Sequence, residues 1–215
     1  MAIKTFSINE ALLFGWNVMK KNIGFFIGIL VVVFIASAAP DVINNFIKGK
    51  APVAISIIIA VIFWVLQLIL GMGLIKIALK FCGNEKPDFA VLFSGIPLFF
   101  KYLAGVILYV LIVLGGLILL IVPGVIWSIK FQYFPYLIID KNMGPIEALK
   151  KSASITHGAK WDLLGFNVVL AVVNVLGILC LLIGAFAAVP TVMIAYAFVY
   201  RKLLAQTEAV STPAV

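Results

Sequence analysis

The chain has 215 residues, of which 65% are hydrophobic and 11% are charged, and its mean hydropathy is +1.24. This composition is typical of a protein built into a lipid bilayer, and it leaves little sequence for a soluble domain. The formal net charge is +8. A nucleic-acid-binding protein is excluded because the chain has no solvent-exposed basic domain.

The first predicted element is an amphipathic helix over residues 7–22. Its apolar residues recur at helical spacing on one face, and they are Ile8, Ala11, Leu12, Gly15, Trp16 and Met19. Ser7 and Glu10 form a capping box at its start. Such a helix lies either in the membrane interface, with Trp16 at the level of the headgroups, or against the floor of a helix bundle. The sequence leaves both positions open.

Six apolar runs follow, close to the length of about 17–25 residues that a transmembrane helix needs. They cover residues 23–39, 53–77, 99–122, 124–139, 163–183 and 186–204. The runs lack the alternating polarity of barrel strands, and a helix satisfies its own backbone groups in lipid. The sequence therefore predicts an all-α, polytopic bundle of six transmembrane helices. Residues 1–206 would form one membrane domain, followed by a disordered tail at 207–215.

The basic residues are divided unequally between the two sides of this predicted bundle. With the N-terminus in the cytoplasm, 14 of the 16 lysine and arginine residues lie in or next to cytoplasmic segments. Lys48 and Lys50 are the two on the outer side. This asymmetry predicts a multi-pass protein of the cell (inner) membrane with both termini in the cytoplasm. It also favours contact with anionic lipid headgroups.

A second amphipathic helix is predicted over residues 145–157. Gly144 suits the N-cap, Pro145 suits the first helical position, and Gly158 is a stop signal. The apolar face predicted for this helix consists of Ile146, Leu149 and Ala153. The opposite, polar face consists of Lys150, Lys151 and Ser154.

The two amphipathic helices resemble copies of one unit. At an offset of 137 residues, Glu-Ala-Leu at 10–12 matches Glu-Ala-Leu at 147–149, and Gly28 matches Gly165. A weaker third copy begins at Asp88. The chain then consists of three units of surface helix plus transmembrane hairpin. The alternative is chance similarity within a very apolar sequence.

Lys130 is the charged residue that the sequence places deepest in a predicted span, about 9 Å from one end and about 13 Å from the other at 1.5 Å per residue. The same arithmetic gives Gln67, Tyr109 and Asn174 a similar depth. These four side chains on four spans are candidates for a polar centre that binds an anion, a lipid headgroup or water. In the alternative, Lys130 snorkels along aromatic neighbours and the other three join helices by hydrogen bonds.

Other residues are candidates for membrane-interface contacts. They are Trp16, Lys20, Lys21, Lys150, Lys151 and Trp161.

A glycine pair, Gly24 and Gly28, favours a close helix contact within the bundle or between copies. The single histidine, His157, and the two cysteines lie too far apart in the sequence for a metal site, and no cofactor is predicted. No known catalytic motif is present and no Asp or Glu lies inside a predicted span, so no catalytic residue is predicted.

The segment from Pro123 to Arg201 carries a recognisable pattern. It consists of Pro123-Gly124, Lys130, Phe134-Pro135, Asp140, Gly144-Pro145-Ile146-Glu147-Ala148-Leu149, Ser152, His157-Gly158, Pro190 and Tyr200-Arg201. It resembles a prokaryotic superfamily of six-helix integral membrane proteins, which includes the membrane domain of some glycerophosphodiester phosphodiesterases. The resemblance implies surface helices on the cytoplasmic side. It implies no catalysis, because the soluble phosphodiesterase barrel is missing.

The sequence thus predicts a non-enzymatic membrane protein, an accessory or scaffold subunit that organises lipid or a partner membrane protein. The alternative is a small transporter or lipid-handling protein with a polar centre around Lys130. An enzyme acting on lipid ranks third, because no acid–base pair supports it. The predicted partners are membrane lipids, with a partner membrane protein or a second copy of the chain as further candidates, and no nucleic acid.

Overall fold

The computed structural model describes residues 5–47, 52–180 and 183–211, and Lys4, Lys48 and Lys50 lie outside these ranges. The described residues form helices joined by short turns. The α-helices are α1 (Ile8–Lys21), α2 (Ile23–Ile47), α3 (Val53–Cys82), α4 (Phe99–Leu119), α5 (Ile121–Phe131), α6 (Phe134–Lys141), α7 (Pro145–Ile155), α8 (Lys160–Leu179) and α9 (Ile183–Ser211). Two 3₁₀ helices, Phe89–Phe93 and Ile96–Leu98, lead into α4.

The chain is an all-α helical membrane bundle, as predicted. Five helical segments are long and apolar enough to cross a bilayer: Ile23–Ile47, Val53–Cys82, Phe89–Leu119, Lys160–Leu179 and Gly184–Ala209. Many of their largest apolar side chains face outward, including Phe34 at 69% exposure and Ile118 at 85%. Water would oppose that arrangement, whereas lipid favours it.

The fourth predicted span, 124–139, is not one continuous helix. It is divided into α5, of 11 residues, and α6, of 8 residues, with a break at Gln132 and Tyr133. Pro135 lies in the first turn of α6. Pro135 has no backbone N–H to donate to Phe131, and its ring crowds that carbonyl, which favours a break here. Proline alone does not end a helix in this bundle, because α2 contains Pro40 and α9 contains Pro190. The prediction of six continuous spans is corrected to five, plus this broken segment.

Helix α9 lies at the centre of the bundle. In its apolar segment 44% of the residues are buried, against 6–17% in the other four long segments. Side chains of α9 that are completely buried are those of Ile194, Ala195, Ala197, Val199, Tyr200 and Leu203. Two apolar clusters share this helix. The smaller one includes residues of α1, α2 and α3, and the larger one includes residues of α1 and of α3 to α8.

Helix α1 packs antiparallel along α9. Ser7 caps α1 by accepting a hydrogen bond from the N–H of Glu10 at 3.3 Å. The buried side of α1 is Ala11, Gly15 and Met19, whereas Trp16 is 43% exposed. Of the two positions left open by the sequence, the structure therefore shows packing against the bundle. The interfacial position of Trp16 stays a prediction.

Helix α9 also continues into the region for which the sequence predicts disorder. It runs to Ser211, and Thr207 donates from its hydroxyl to the Leu203 carbonyl at 2.8 Å. Glu208 lies 3.6 Å from Lys141 of α6. Residues 207–211 are therefore helical, and 212–215 lie outside the described residues.

The order of elements fits the three predicted units. Within each unit the two arms of a hairpin pack together: α2 with α3, α4 with α5, and α8 with α9. The last two hairpins close on glycine pairs. A Cβ at Gly116 would lie 2.9 Å from the Cα of Gly124, and one at Gly177 would lie 3.0 Å from the carbonyl oxygen of Gly184. That the three units are copies stays a prediction.

Gly15 allows a test of the packing of α1 on α9. A Cβ at Gly15 would collide with the backbone oxygen of Thr191, whereas one at Gly24 meets no atom within 4 Å. We expect Gly15→Ala to destabilise the protein by about 1–3 kcal/mol, the usual cost of overpacking. Gly24→Ala is the matched control and should be neutral or slightly stabilising, because alanine favours helix. Thermal unfolding in detergent measures both. Equal melting of the two variants would contradict the α1–α9 contact.

Candidate functional site

The four side chains predicted to form a polar centre are not joined in the structure. Gln67 donates to the Ser37 hydroxyl of α2 at 3.4 Å, and Tyr109 donates to the Ser128 carbonyl of α5 at 3.4 Å. Both contacts are local links between neighbouring helices. Equal depth in the membrane does not fix the direction in which a side chain points around its helix axis, and the polar centre stays a prediction.

Lys130 and Asn174 have no hydrogen bond to the other two candidates among the described residues. The ammonium of Lys130 is 5.3 Å from the centroid of the Phe131 ring, a cation–π distance. Lys130 borders an open groove of about 390 Å³ between α4 and α5. Asn174 is half-buried on α8. The contact with Phe131 agrees with the snorkelling alternative, and lipid binding by any of the four residues stays a prediction.

A different polar cluster forms at the break between α5 and α6. The Gln132 side-chain oxygen accepts from Asn167 Nδ2 of α8 at 2.9 Å and from the Tyr196 hydroxyl of α9 at 2.5 Å. The Tyr196 hydroxyl also lies 2.9 Å from Asn167 Oδ1. The Gln132 Nε2 atom is buried and has no hydrogen-bond partner among the described residues. Three helices are thus held together by one amide–phenol cluster.

All six tyrosines of the chain lie around this cluster. The rings of Tyr133, Tyr136, Tyr196 and Tyr200 contact one another with centroids 5.2 to 6.1 Å apart. The other two, Tyr102 and Tyr109, contact Phe134. The Tyr133 side chain is completely buried, and its hydroxyl has no partner in the described part of the chain.

Helix α7 satisfies the backbone groups that the break leaves free. The Lys130 carbonyl accepts hydrogen bonds from Ser152 Oγ at 3.1 Å and from Thr156 Oγ1 at 3.0 Å. Ser152 Oγ in turn accepts from the Tyr133 N–H at 3.1 Å. Both hydroxyl side chains are completely buried. An unpaired backbone group in an apolar interior is costly, so these contacts are what permits a broken span.

The buried face of α7 differs from the predicted one. Ile146 is 59% exposed and Ala153 is only half-buried, so two of the three residues of the predicted apolar face lie off the core. The buried residues are Ala148, Leu149, Ser152 and Ile155. The cause is the break, because Ser152 and Thr156 must face it. The capping signals are as predicted, with Gly144 at the N-cap and Gly158 at φ +88°.

Ionic contacts close the bundle at one end. The only arginine, Arg201, lies 2.8 Å from Asp140 Oδ1, and the Tyr200 hydroxyl donates to Asp140 Oδ2 at 3.0 Å. The Asp140 side chain is only 11% exposed. Further contacts at this end join Lys101 to Asn142, Lys141 to Glu208, Lys202 to Glu10, and Gln206 to Thr5. They bring the ends of α4, α6 and α9 together with α1.

We call this region the lysine-rich end. In the described ranges, eight lysines here form no ion pair. Lys101 is bonded to the neutral Asn142, and the other seven are Lys20, Lys21, Lys76, Lys86, Lys150, Lys151 and Lys160. At the opposite end, the one charged residue within the described ranges is Asp41. The predicted interface residues Lys20, Lys21 and Lys150 are exposed, and Lys151 is half-buried. The surplus of positive charge is therefore a property of one end of the bundle.

Two depressions in the surface border this end. A polar cleft of about 360 Å³ between α1 and α3 contains Lys21 and Lys86. An apolar groove of about 430 Å³ runs between α5 and α8, with Lys160 and Trp161 in its wall. The groove was not predicted, although the Lys-Trp pair at the start of α8 was a signal for an interfacial site. Trp161 is 79% exposed.

The remaining candidate residues do not gather into a site. Among the described residues, no group of three His, Cys, Asp or Glu side chains could hold a metal ion. Gly28 makes room for the Phe89 ring inside the bundle, whereas Gly24 faces open space. The predicted glycine pair therefore serves an internal contact at one of its two positions.

The caps supplied by α7 can be tested directly. Replacing Ser152 by Ala and Thr156 by Val leaves the Lys130 carbonyl and the Tyr133 N–H buried without partners. We expect a loss of about 1–3 kcal/mol for each such group. Ser128→Ala is the control, since that hydroxyl bonds only to the Val125 carbonyl of its own helix. Thermal unfolding in detergent distinguishes them, and a double variant as stable as Ser128→Ala would exclude the capping role.

Comparison with protein-family models, with curated proteins and with solved structures finds no match to this chain. The resemblance to the six-helix superfamily therefore stays a prediction. The chemistry available to the protein has to be argued from the lysine-rich end, the apolar groove and the polar cluster.

Proposed function

We propose that the chain is a non-enzymatic membrane protein that gathers anionic phospholipids at its lysine-rich end. By doing so it would serve as an accessory or scaffold subunit that organises lipid or a partner membrane protein. The observation that carries this proposal is the set of eight lysines at this end without an ion-pair partner among the described residues. The paired cations stabilise contacts between helices, whereas these eight have charge left for an external anion.

The strength of such an interaction is substantial when several lysines act together. A basic residue near an anionic membrane surface contributes about 1 kcal/mol, and the attraction falls off within a Debye length. The side chains of Trp16 and Trp161 are exposed. An indole ring combines a large apolar surface with one N–H donor, and such a side chain is favoured in the headgroup region of a membrane. Basic charge is enriched on the cytoplasmic side of membrane proteins, so the proposal places the lysine-rich end and both termini there.

A second candidate function is the handling of a small polar solute or of lipid inside the bundle. It is favoured by the two buried donors without partners among the described residues, Gln132 Nε2 and the Tyr133 hydroxyl. Buried donors of this kind normally have an acceptor, and a bound molecule or water would supply one. The centre of this alternative is the cluster at Gln132 rather than Lys130.

Lipid preference tests the proposed function. We expect the purified protein to retain phosphatidylglycerol severalfold more than phosphatidylcholine of the same chain length in native mass spectrometry. Replacing Lys20, Lys21, Lys150 and Lys151 together by Gln should remove most of that preference. The matched control replaces the same four by Arg, which keeps the charge. Equal retention of both lipids by the parent protein would contradict the proposal.

The orientation is tested separately by labelling with a membrane-impermeant thiol reagent. Cys82 and Cys180 are first replaced by Ala, and single cysteines are placed at Asn45 and at Glu85. In intact cells we expect labelling of Asn45→Cys and protection of Glu85→Cys, which becomes reactive after the membrane is opened. The reverse pattern would place the lysine-rich end outside.

A further inference from the structure

We infer that the groove between α5 and α8 binds one acyl chain of an anionic glycerophospholipid, and that Lys160 holds the phosphate of that lipid. The inference rests on the proposed function and deepens it. It assigns one lipid molecule to one place among the anionic lipids that the lysine-rich end attracts.

The lining of the groove suits a hydrocarbon chain. Its volume is about 430 Å³, and the side chains in its wall are those of Ile121, Val122, Val125, Ile126, Ile129, Lys160, Trp161 and Leu164. From Ile121 to Ile129 the wall follows nine residues of α5, about 12 Å for eight steps at 1.5 Å each. A long apolar depression on a helix that faces lipid gains dispersion contacts when a chain fills it.

The polar group in the wall is placed where the headgroup of such a lipid would be. Lys160 begins α8 and forms no ion pair in the described part of the chain. Trp161, next to it, is 79% exposed and can present its indole N–H to ester or phosphate oxygens. An ammonium and an indole at one end of an apolar groove match a phosphate attached to an acyl chain.

The composition of the groove argues against a protein helix as its occupant. Close packing of membrane helices uses small residues that let the backbones approach. None of the residues that line this groove is Gly, Ala, Ser or Thr. The side chains of Ile, Val and Leu keep a second helix backbone at a distance, whereas a thin acyl chain can lie between them.

One charge opposes the proposed contact. Asp162 lies two residues after Lys160 in the first turn of α8 and is exposed. It forms no ion pair among the described residues. A phosphate near Lys160 would feel its repulsion, so removing this carboxylate should strengthen binding. The site therefore predicts opposite effects for two neighbouring substitutions.

The test compares variants of the full chain by native mass spectrometry with phosphatidylglycerol as the probe. We expect Lys160→Gln to lower the occupancy of the tightest-bound lipid at least threefold, Lys160→Arg to retain it, and Asp162→Asn to raise it. Lys80→Gln, which removes the same charge from a residue that is paired with Glu85, is the control and should change it less. A phosphatidylglycerol with a photoreactive acyl chain should crosslink to α5 near Val125 and Ile126.

Filling the groove provides a test that does not depend on charge. Val125→Trp should abolish the crosslink to α5, whereas Val168→Trp, at a position 55% exposed on α8 outside the groove lining, should not. If phosphatidylglycerol is preferred but Lys160→Gln binds it like the parent, or the crosslinks lie elsewhere, this site is refuted and the proposed function stands. If the parent shows no preference for phosphatidylglycerol, the proposed function fails and the phosphate contact fails with it. A dimer that Val125→Trp dissociates would assign the groove to a second copy.

Discussion

The structure depends on how the backbone is satisfied where the fourth apolar run breaks. At Gln132 and Tyr133 the helical hydrogen bonds stop, within a buried, largely apolar part of the bundle where unpaired backbone groups are costly. Ser152 and Thr156 supply the missing partners, and that requirement fixes the depth and rotation of α7. Once α7 is fixed, the turn before it holds Asn142 next to Lys101. The broken span, the buried short helix and the closed end of the bundle are one connected arrangement.

The long helices could be predicted from the sequence because their signal is local. An apolar run of sufficient length is helical in a membrane whatever it packs against. The capping residues Ser7 and Gly144 are predictable for the same reason, since each acts on its own turn. The position of α9 at the centre of the bundle cannot be predicted from its own residues. Its apolar residues resemble those of α3, and only the packing of the other helices distinguishes the two.

The candidate site was less predictable because it depends on contacts between distant segments. Serine and threonine on a short helix look like solvent-facing residues, and their burial becomes favourable only when an unpaired backbone group lies opposite. The true polar cluster joins Gln132, Asn167 and Tyr196, which are separated by up to 64 residues. The rise per residue gives the height of a side chain along its helix but not the direction in which it points around the axis. It therefore could not show that these three side chains meet. Pro135 favours a break in the run 124–139, but Pro40 and Pro190 lie inside continuous helices, so a proline alone does not locate the break.

The charges of the lysine-rich end fall into two groups with different physical roles. Arg201 and Lys202 contact carboxylates and stabilise the packing of α9 against α6 and α1. Lys20 and Lys150 have no such partner among the described residues, so their removal costs the fold little beyond local contacts. Ion pairs within the bundle and attraction to lipid therefore draw on separate residues at the same end. Lysines without an ion pair can therefore be replaced without disturbing the packing that holds the helices together. A change in lipid affinity on their replacement can then be attributed to this surface.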